Sequence, residues 1–141
     1  MHIITSKLQF QEVLNILKQG ENDFHPPLSQ SIELVTYAEK LSTYANFVTV
    51  RDENTIVGCI AYYNNDDGKF IYISHYWVNG EYQHNHYGQR MLEVLIDNNR
   101  NKYNEIRLEV VKDNPAYFFY QKNGFVIHEN RENKYLLTLS I

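Results

Sequence analysis

The chain has 141 residues, of which 43% are hydrophobic and 14% aromatic, and 13 basic against 17 acidic side chains give a formal net charge of -4. This length corresponds to one domain with a core of its own, and the aromatic content excludes a disordered chain. Because proteins that neutralise nucleic-acid phosphates usually present a basic face, the acidic balance argues against nucleic acid as a partner.

The sequence also bears on the compartment. No apolar run reaches the roughly 20 residues that cross a bilayer, so no membrane association is expected. The first residues lack the basic region and apolar stretch of a secretory signal, and the single cysteine, Cys59, has no partner for an internal disulfide. We therefore expect a cytoplasmic protein. The 12 tyrosines are either core and rim residues or the lining of a polar pocket, and composition does not choose between them.

The first predicted element is a helix. Apolar residues recur at intervals of three and four from Phe10 to Leu17, which is the pattern of one helix face. Ser6 and Gln9 have the spacing of a capping box before this helix, and Gly20 is its expected end. A loop from Glu21 to Gln30 follows.

The next segment predicts a second helix and a meander of strands. Leu34 to Ala45 has helical periodicity, with Ser29 or Ser31 as its expected N-cap. Turn residues then separate runs with strand character, which places three antiparallel strands in succession. The predicted strands are Phe47–Arg51, Ile56–Tyr63 and Lys69–Val78.

The remaining part of the chain alternates helices and strands. A polar segment leads to a third helix, a strand with one buried face, a short helix with Pro at its start and Gly after its end, and a closing hairpin. The polar segment is Asn79–Tyr87, and the third helix begins at Gly88. The strand is Ile106–Val110, the short helix is Pro115–Asn123, and the strands of the hairpin are Phe125–Glu129 and Lys134–Ile141. Residues 1–141 therefore predict a single α+β domain with a central mixed sheet and helices on its faces.

The strand–loop–helix junction from Gln83 to Gly88 is a candidate phosphate site. A helix N-terminus leaves backbone N–H groups unpaired and carries the positive end of the helix dipole, so it binds a phosphate without many basic side chains. Most such junctions bind nothing, and this one is also compatible with an ordinary connection.

Two further segments complete a recognisable pattern. Asn114, Ala116, Tyr120 and Gly124–Phe125 follow the spacing Asn-x-Ala-x-x-x-Tyr-x-x-x-Gly-Phe. Together with the strand ending at Val78 and the loop beginning at Gln83, this order resembles the GCN5-related N-acetyltransferase (GNAT) superfamily from Ala45 to Gly124. The resemblance implies a mostly antiparallel sheet of about six to seven strands flanked by about four helices.

The resemblance also implies a site. Acetyl-CoA, the acyl donor, would wedge between two strands that part, with its pantetheine arm paired to strand backbone and its pyrophosphate held by loop N–H groups. Tyr120 would protonate the departing thiolate, because a phenol is protonated at neutral pH. The cofactor-binding residues so implied are Tyr76, Trp77, Val78, Gln83, His84, Asn85, His86, Tyr87, Gly88, Gln89, Asn114 and Tyr120.

The sequence departs from the family pattern at two positions. His86 replaces the first glycine of the loop, where glycine favours a positive φ or a close approach of a ligand. Tyr72 stands about where family members often carry a Glu that serves as base. His75 is the candidate base on that strand, although regular alternation places it on the face opposite Tyr72 unless a bulge re-aims it. Proton loss through ordered water is the alternative.

The implied activity is N-acetylation of a primary amine of a small molecule, amino sugar or peptide by direct attack. The loop Asp23–Pro27 lies where the family binds acceptors, so Asp23 or Glu21 could pair with a cationic amine, although solvated charges are more common in such loops. His84 and His86 lack a third metal ligand at a useful spacing, so no metal is expected. Many tyrosines and an exposed edge strand favour a homodimer. The alternative function is a catalytically idle GNAT-like domain that binds acyl-CoA or a partner.

Overall fold

Seven strands and four α-helices alternate along the chain in the computed structural model, which describes residues 1–141. Three short 3-10 turns, at Glu21–Asp23, Leu28–Gln30 and Gly80–Asn85, lie between them. The elements are β1 (His2–Ser6), α1 (Phe10–Gln19), α2 (Leu34–Tyr44), β2 (Asn46–Asp52), β3 (Thr55–Asn65), β4 (Phe70–Val78), α3 (Tyr87–Asn99), β5 (Glu105–Val111), α4 (Ala116–Lys122), β6 (Val126–Asn130) and β7 (Lys134–Ser140).

All seven strands form one sheet in the order β1-β2-β3-β4-β5-β7-β6. Every neighbouring pair is antiparallel except β4 and β5, which run parallel. The expected mixed, mostly antiparallel sheet with flanking helices is therefore confirmed.

The parallel pair of strands separates soon after it forms. Backbone pairing joins Phe70–Tyr72 of β4 to Glu105–Arg107 of β5 and ends there. Beyond this point β4 stays paired with β3 as far as Val78, while β5 stays paired with β7 as far as Val111. The sheet therefore opens into a gap between its two halves, and the free edge of β4 faces that gap.

Helices cover both faces of the sheet. On one face, α3 buries Leu92 and Leu95 in a cluster with Ile71 and Ile106 of the parallel strands. On the other face, α1 and α2 bury a second cluster, which includes Leu17. Burial of each such side chain stabilises the fold by roughly 1.5–3 kcal/mol. The two helical layers therefore fix the positions of the strands on either side of the gap. None of the helices has the length and apolar character needed to cross a membrane.

A β-bulge interrupts β4 near its middle. Ala61 of β3 pairs with His75, whereas the next residue, Tyr62, pairs with Ile73, so Ser74 is an additional residue on β4. Regular alternation predicts His75 on the face opposite Tyr72. The bulge reverses this, because an inserted residue shifts the alternation by one position, and His75 packs toward α2 on the Tyr72 face.

Three local expectations at the N-terminal end are wrong. Residues 2–6 form β1, an edge strand that is mostly exposed and so carries no alternating pattern. The helix α1 begins after Gln9, whose N–H donates to Glu12 at 3.1 Å, rather than after Ser6. The cap of α2 is the carboxylate of Glu33, which accepts from the N–H groups of residues 35 and 36, rather than Ser29 or Ser31. Gly20 ends α1 as expected.

Candidate active site

A cavity of about 560 Å³ lies between the free half of β4, the start of α3 and α4. The predicted cofactor residues that line it are Tyr76, Trp77, Val78, Gln83, His86, Gly88, Gln89, Asn114 and Tyr120. The lining residues to which the sequence assigned no cofactor contact are Asp23, His25, Pro115, Ala116, Phe119, Lys122 and Asn123. His84, Asn85 and Tyr87 belong to the same junction but do not line the cavity.

The N-terminus of α3 opens into this cavity. No side chain caps it, and its first backbone bond joins the Arg90 N–H to the His86 carbonyl at 3.0 Å. The N–H groups of Tyr87, Gly88 and Gln89 precede that bond, and such groups have no acceptor within a helix. Together with the positive end of the helix dipole, these N–H groups form a site that favours the binding of an anionic group.

His86 adopts the left-handed conformation, with φ 61° and ψ 19°. This explains physically why the loop pattern has glycine here, because glycine adopts positive φ without steric cost. Histidine tolerates the same region better than most residues do. The departure from the pattern thus preserves the backbone path and adds an imidazole to the cavity lining.

Gly88 keeps the passage between β4 and α4 open. A Cβ atom at this position would lie 3.5 Å from Phe119 Cζ and 3.7 Å from Val78 Cγ2, so any larger side chain would fill the passage. On the same side, the Tyr76 hydroxyl donates a hydrogen bond to the Gly88 carbonyl oxygen and ties β4 to α3.

Tyr120 lies on α4 at the wall of the cavity. Its ring packs edge-on against Tyr76 at 5.8 Å and against Phe119 and Phe125, each at 5.6 Å. Burial raises the pKa of the Tyr120 phenol well above its usual value. At neutral pH the group is therefore protonated, and it can donate a proton but not accept one.

Two predicted cofactor residues also make local structural contacts. The Asn114 Oδ1 atom accepts from the Ala116 N–H at 2.9 Å at the start of α4, and this bond does not use the Nδ2 group. The Gln83 Nε2 group donates to the Val78 carbonyl at 3.0 Å and fixes the loop to the end of β4. Each side chain therefore shapes the cavity as well as lining it.

His75 lies on the other face of β4 and does not line the cavity. Its ring packs against Phe24 at 5.2 Å and Tyr37 at 6.0 Å. Burial lowers the pKa of the His75 imidazole to about 4. It is thus neutral at physiological pH, but a group with so low a pKa is a weak proton acceptor.

The loop after α1 supplies two polar groups to the cavity, Asp23 and His25. The Trp77 indole N–H donates to the Asp23 carboxylate at 2.8 Å, which anchors this loop to β4. Because Tyr120 lines the same cavity from the α3 side of the sheet, the gap between β4 and β5 is open through the sheet from one face to the other.

A second polar cluster lies where the pairing of β4 and β5 ends. The Tyr72 hydroxyl donates to Glu109 Oε1 at 3.1 Å, and Arg131 contacts Glu109 Oε2 at 2.6 Å. No sequence pattern predicts a role for Glu109. Its alternation with the buried Leu108 and Val110 does predict the face on which it lies, but not its partner across the gap.

The single cysteine and the possible metal ligands were also considered as reactive groups. Burial raises the pKa of the Cys59 thiol to about 12, so it is protonated and a poor nucleophile. No group of three or more His, Cys, Asp or Glu side chains gathers in the structure as a set of metal ligands.

The fold has close counterparts among solved structures. The PaiA N-acetyltransferase from Thermoplasma acidophilum, solved in complex with coenzyme A, is 19% identical, with full coverage of both chains and a TM-score of 0.79. Tetrahymena GCN5 is 15% identical over 100% of this chain and 96% of its own, with a TM-score of 0.75. A GNAT family acetyltransferase from Elizabethkingia anophelis with acetyl-CoA bound is 21% identical over 75% of this chain and 82% of its own, with a TM-score of 0.64.

The sequence matches the family model described as "Acetyltransferase (GNAT) family" over residues 10–125. No curated protein matches the chain. The matched range runs from the start of α1 to the end of the segment that carries Asn114, Tyr120 and Gly124. Since the model covers most of the sequence and the fold agrees with it, the chain belongs to the GNAT acetyltransferase family.

Proposed function

We propose that this protein transfers an acetyl group from acetyl-CoA to a primary amine of a small molecule, an amino sugar or a peptide. The observation that carries the proposal is the uncapped N-terminus of α3, which opens into the same cavity as the protonated phenol of Tyr120. One end of the cavity suits a pyrophosphate, and its wall holds a proton donor for a leaving group.

Acetyl-CoA would lie along the free edge of β4. The pyrophosphate would accept hydrogen bonds from N–H groups at the start of α3, and the pantetheine arm would pair with backbone near Tyr76, Trp77 and Val78. Asn114 lines the same cavity, and its amide nitrogen would be a donor for the pantetheine arm. Lys122 also lines the cavity and supplies a positive charge there.

The amine would attack the thioester carbonyl carbon directly. The new N–C bond forms as the C–S bond breaks, and Tyr120 donates its proton to the departing sulfur. The proton that the amide nitrogen sheds then returns to the Tyr120 oxygen through solvent. Tyr120 suits this role because a phenol is protonated at neutral pH and therefore has a proton to give when a thiolate develops.

The acceptor would approach from the face of the sheet that carries α1 and α2. Asp23 and His25 line the cavity from this side, and the gap in the sheet gives an amine a path to the thioester. The negative charge of Asp23 favours a cationic or neutral amine over an anionic one.

The test has two steps. Acetyl-CoA is added in a thermal-shift experiment, and release of free thiol is then followed with a panel of primary amines. We expect an increase in Tm with acetyl-CoA and amine-dependent thiol release. The absence of any acetyl-CoA binding contradicts the proposal.

A catalytically idle acyl-CoA-binding domain is the second candidate. Two observations favour it. Position 72 carries a tyrosine instead of a carboxylate, and the Tyr76 hydroxyl donates a hydrogen bond to the Gly88 carbonyl that joins β4 to α3 beside the cavity. Acetyl-CoA binding without thiol release for any amine in the panel supports this alternative.

We further propose a cytoplasmic location and a homodimer. The buried, unpaired Cys59 suits a compartment that keeps thiols reduced. The edge strand β6 is exposed along its length and presents Val126 and Ile127 to solvent, so pairing of two copies along this edge would cover them. Sedimentation at increasing concentration tests the oligomeric state.

A further inference from the structure

We propose that the acceptor is an amine with several hydroxyl groups, such as an amino sugar, and that Tyr63 and His75 recognise those hydroxyl groups. This inference deepens the proposed function and rests on it. Its starting point is a pair of buried polar groups, on the sheet face that carries α1 and α2, that have no hydrogen-bond partner within the protein. Buried polar groups of folded proteins are nearly always paired, so an unpaired one calls for an explanation.

The first unpaired group is the imidazole of His75. This residue is only 6% exposed, and its ring contacts Phe24 and Tyr37, but neither ring nitrogen has a hydrogen-bond partner within the protein. Burial of an unpaired polar ring costs folding free energy that phenylalanine in the same place would not cost. The imidazole therefore offers a donor and an acceptor that folding itself does not use.

The second unpaired group is the hydroxyl of Tyr63, whose oxygen is fully buried. The neighbouring Ser74 does not serve it, because Ser74 is engaged by another tyrosine. The Tyr37 hydroxyl donates to the Ser74 carbonyl oxygen at 3.0 Å and lies 2.7 Å from Ser74 Oγ. Of these hydroxyl groups, only that of Tyr63 is left without a partner.

The register of β3 and β4 brings the two groups together. Ala61 and Tyr63 lie two positions apart on β3 and therefore face the same side of the sheet. Their partners on β4 are His75 and Tyr72 respectively, so Tyr63 and His75 stand in neighbouring rows of one face. The bulge at Ser74 produces this arrangement, since it turns His75 to the face of Tyr72.

A second cavity, which we call the hairpin cavity, lies beside these residues. It has a volume of about 780 Å³, which is within the range of small-molecule sites, and it extends from Tyr63 and Tyr72 toward the turn between β3 and β4. Its lining includes these two rings, the ring of Phe70, and the amides of Asn64 and Asn65. Aromatic faces suit the C–H faces of a saturated ring, and amide groups can pair with its hydroxyl groups.

The hairpin cavity and the cofactor cavity meet β4 on either side of the bulge. Tyr72 lines the first cavity, Tyr76 lines the second, and His75 lies between them. An acceptor whose body lies in the hairpin cavity would therefore direct its amine toward the gap. His75 would then meet a hydroxyl group near the amine, and Tyr63, one strand away, would meet a hydroxyl group farther from it.

The chemistry of the two groups favours hydroxyl groups as their partners. A phenol and a neutral imidazole each carry one donor and one acceptor, and a hydroxyl group can pair with either. Burial lowers the pKa of His75 to about 4, so its ring is neutral at pH 7 and does not select for an ion. A site of this kind rejects an analogue that lacks the hydroxyl group, because its own buried polar groups then remain unpaired.

The experiment compares three amines built on a six-membered ring. Glucosamine has several hydroxyl groups, trans-2-aminocyclohexanol has one beside the amine, and cyclohexylamine has none. Each is titrated calorimetrically into the CoA-loaded protein, and kcat/KM is measured from thiol release. The variants are His75→Phe and Tyr63→Phe, which keep an aromatic ring. Tyr44→Phe, at a residue that is 68% exposed, is the matched control.

We expect the wild type to bind glucosamine roughly 100-fold more tightly than cyclohexylamine, with the aminocyclohexanol between them. His75→Phe should weaken binding of both hydroxylated amines roughly 10-fold, and Tyr63→Phe should weaken mainly that of glucosamine. Neither variant should alter cyclohexylamine binding, and Tyr44→Phe should match the wild type. Equal affinity of the wild type for the three amines overturns the inference, as does an equal loss for all three in both variants. Acetylation without such a preference still supports the proposed function.

Thermal unfolding of the free protein at pH 7 gives a readout that does not depend on an acceptor. Tyr37→Phe removes a paired hydroxyl group and should lower Tm by roughly 3 °C. Tyr63→Phe and His75→Phe remove unpaired groups and should leave Tm unchanged or raise it. A loss in both variants as large as that of Tyr37→Phe would show that the two groups are paired within the protein, which overturns the inference. Failure of the wild type to bind acetyl-CoA is a different result, because it refutes the proposed function and this inference with it.

Discussion

The hydroxyl group of Tyr76 donates a hydrogen bond to the backbone carbonyl oxygen of Gly88 and joins β4 to the first turn of α3. The same tyrosine ring packs against Phe119 and Tyr120 of α4. Tyr76 therefore links the three elements that form the candidate cofactor cavity, at the place where the sheet has lost its own backbone pairing.

Tyr76→Phe should lower the free energy of unfolding by about 1 kcal/mol, because it removes a partly buried hydrogen bond and keeps the ring. Urea unfolding measures the difference. Tyr44→Phe is the matched control, since Tyr44 is 68% exposed and its substitution should have no measurable effect. Equal stability of Tyr76→Phe and the wild type would show that the bond contributes nothing.

Gly88→Val should weaken acetyl-CoA binding by 10-fold or more, because the side chain would fill the passage between Val78 and Phe119. The Cβ atom alone makes ordinary contacts, so Gly88→Ala should fold normally and lose less affinity. Calorimetric titration of both variants with acetyl-CoA gives the comparison. If Gly88→Val retains full affinity, the cofactor does not pass this glycine.

Tyr120→Phe should lower turnover by roughly 100-fold while changing acetyl-CoA affinity little, because it removes only the proton donor and keeps the packed ring. Tyr117→Phe, on the same helix but outside the cavity lining, is the matched control. Thiol release and acetyl-CoA titration separate the two effects. Unchanged turnover in Tyr120→Phe would exclude it as the acid.

The sequence predicted those parts of the fold that depend on local patterns. The end of α1 at Gly20 and the alternation around Leu108 follow directly from capping and burial. The edge strand β1 was missed because an exposed strand has no alternation to detect. The bulge at Ser74 was not located because it depends on register with β3, which is a property of two strands rather than one.

The residues of the candidate site also divide into those that a local sequence pattern predicts and those that it does not. Tyr120 and Asn114 were found because the family motif contains them, and both line the cavity. The contact of Glu109 with Tyr72 was not predicted, because the two residues meet across the gap although they are 37 positions apart in the sequence. Contacts between distant segments of this kind leave no signal in residue spacing.

His86 gives a test of the phosphate loop that does not require catalysis. Its φ of 61° is costly for a branched side chain and free of cost for glycine. His86→Gly should therefore be at least as stable as the wild type, whereas His86→Val should lose roughly 1 kcal/mol or more. Thermal unfolding of both variants decides the matter, and a stable His86→Val would argue against the left-handed conformation.

The burial of His75 predicts a pH-dependent stability. Its folded-state pKa of about 4 lies below the usual value of 6.5, so the unfolded chain binds this proton first as the pH falls. Stability is therefore lost from about pH 6.5 down to about pH 4, and the loss stops below that because both states are then protonated. A shift of this size corresponds to about 3 kcal/mol. His75→Phe, which keeps an aromatic ring between Phe24 and Tyr37, should remove this part of the pH dependence. Urea unfolding of both proteins between pH 7 and pH 4 measures it, and parallel curves would mean that His75 takes up its proton while folded.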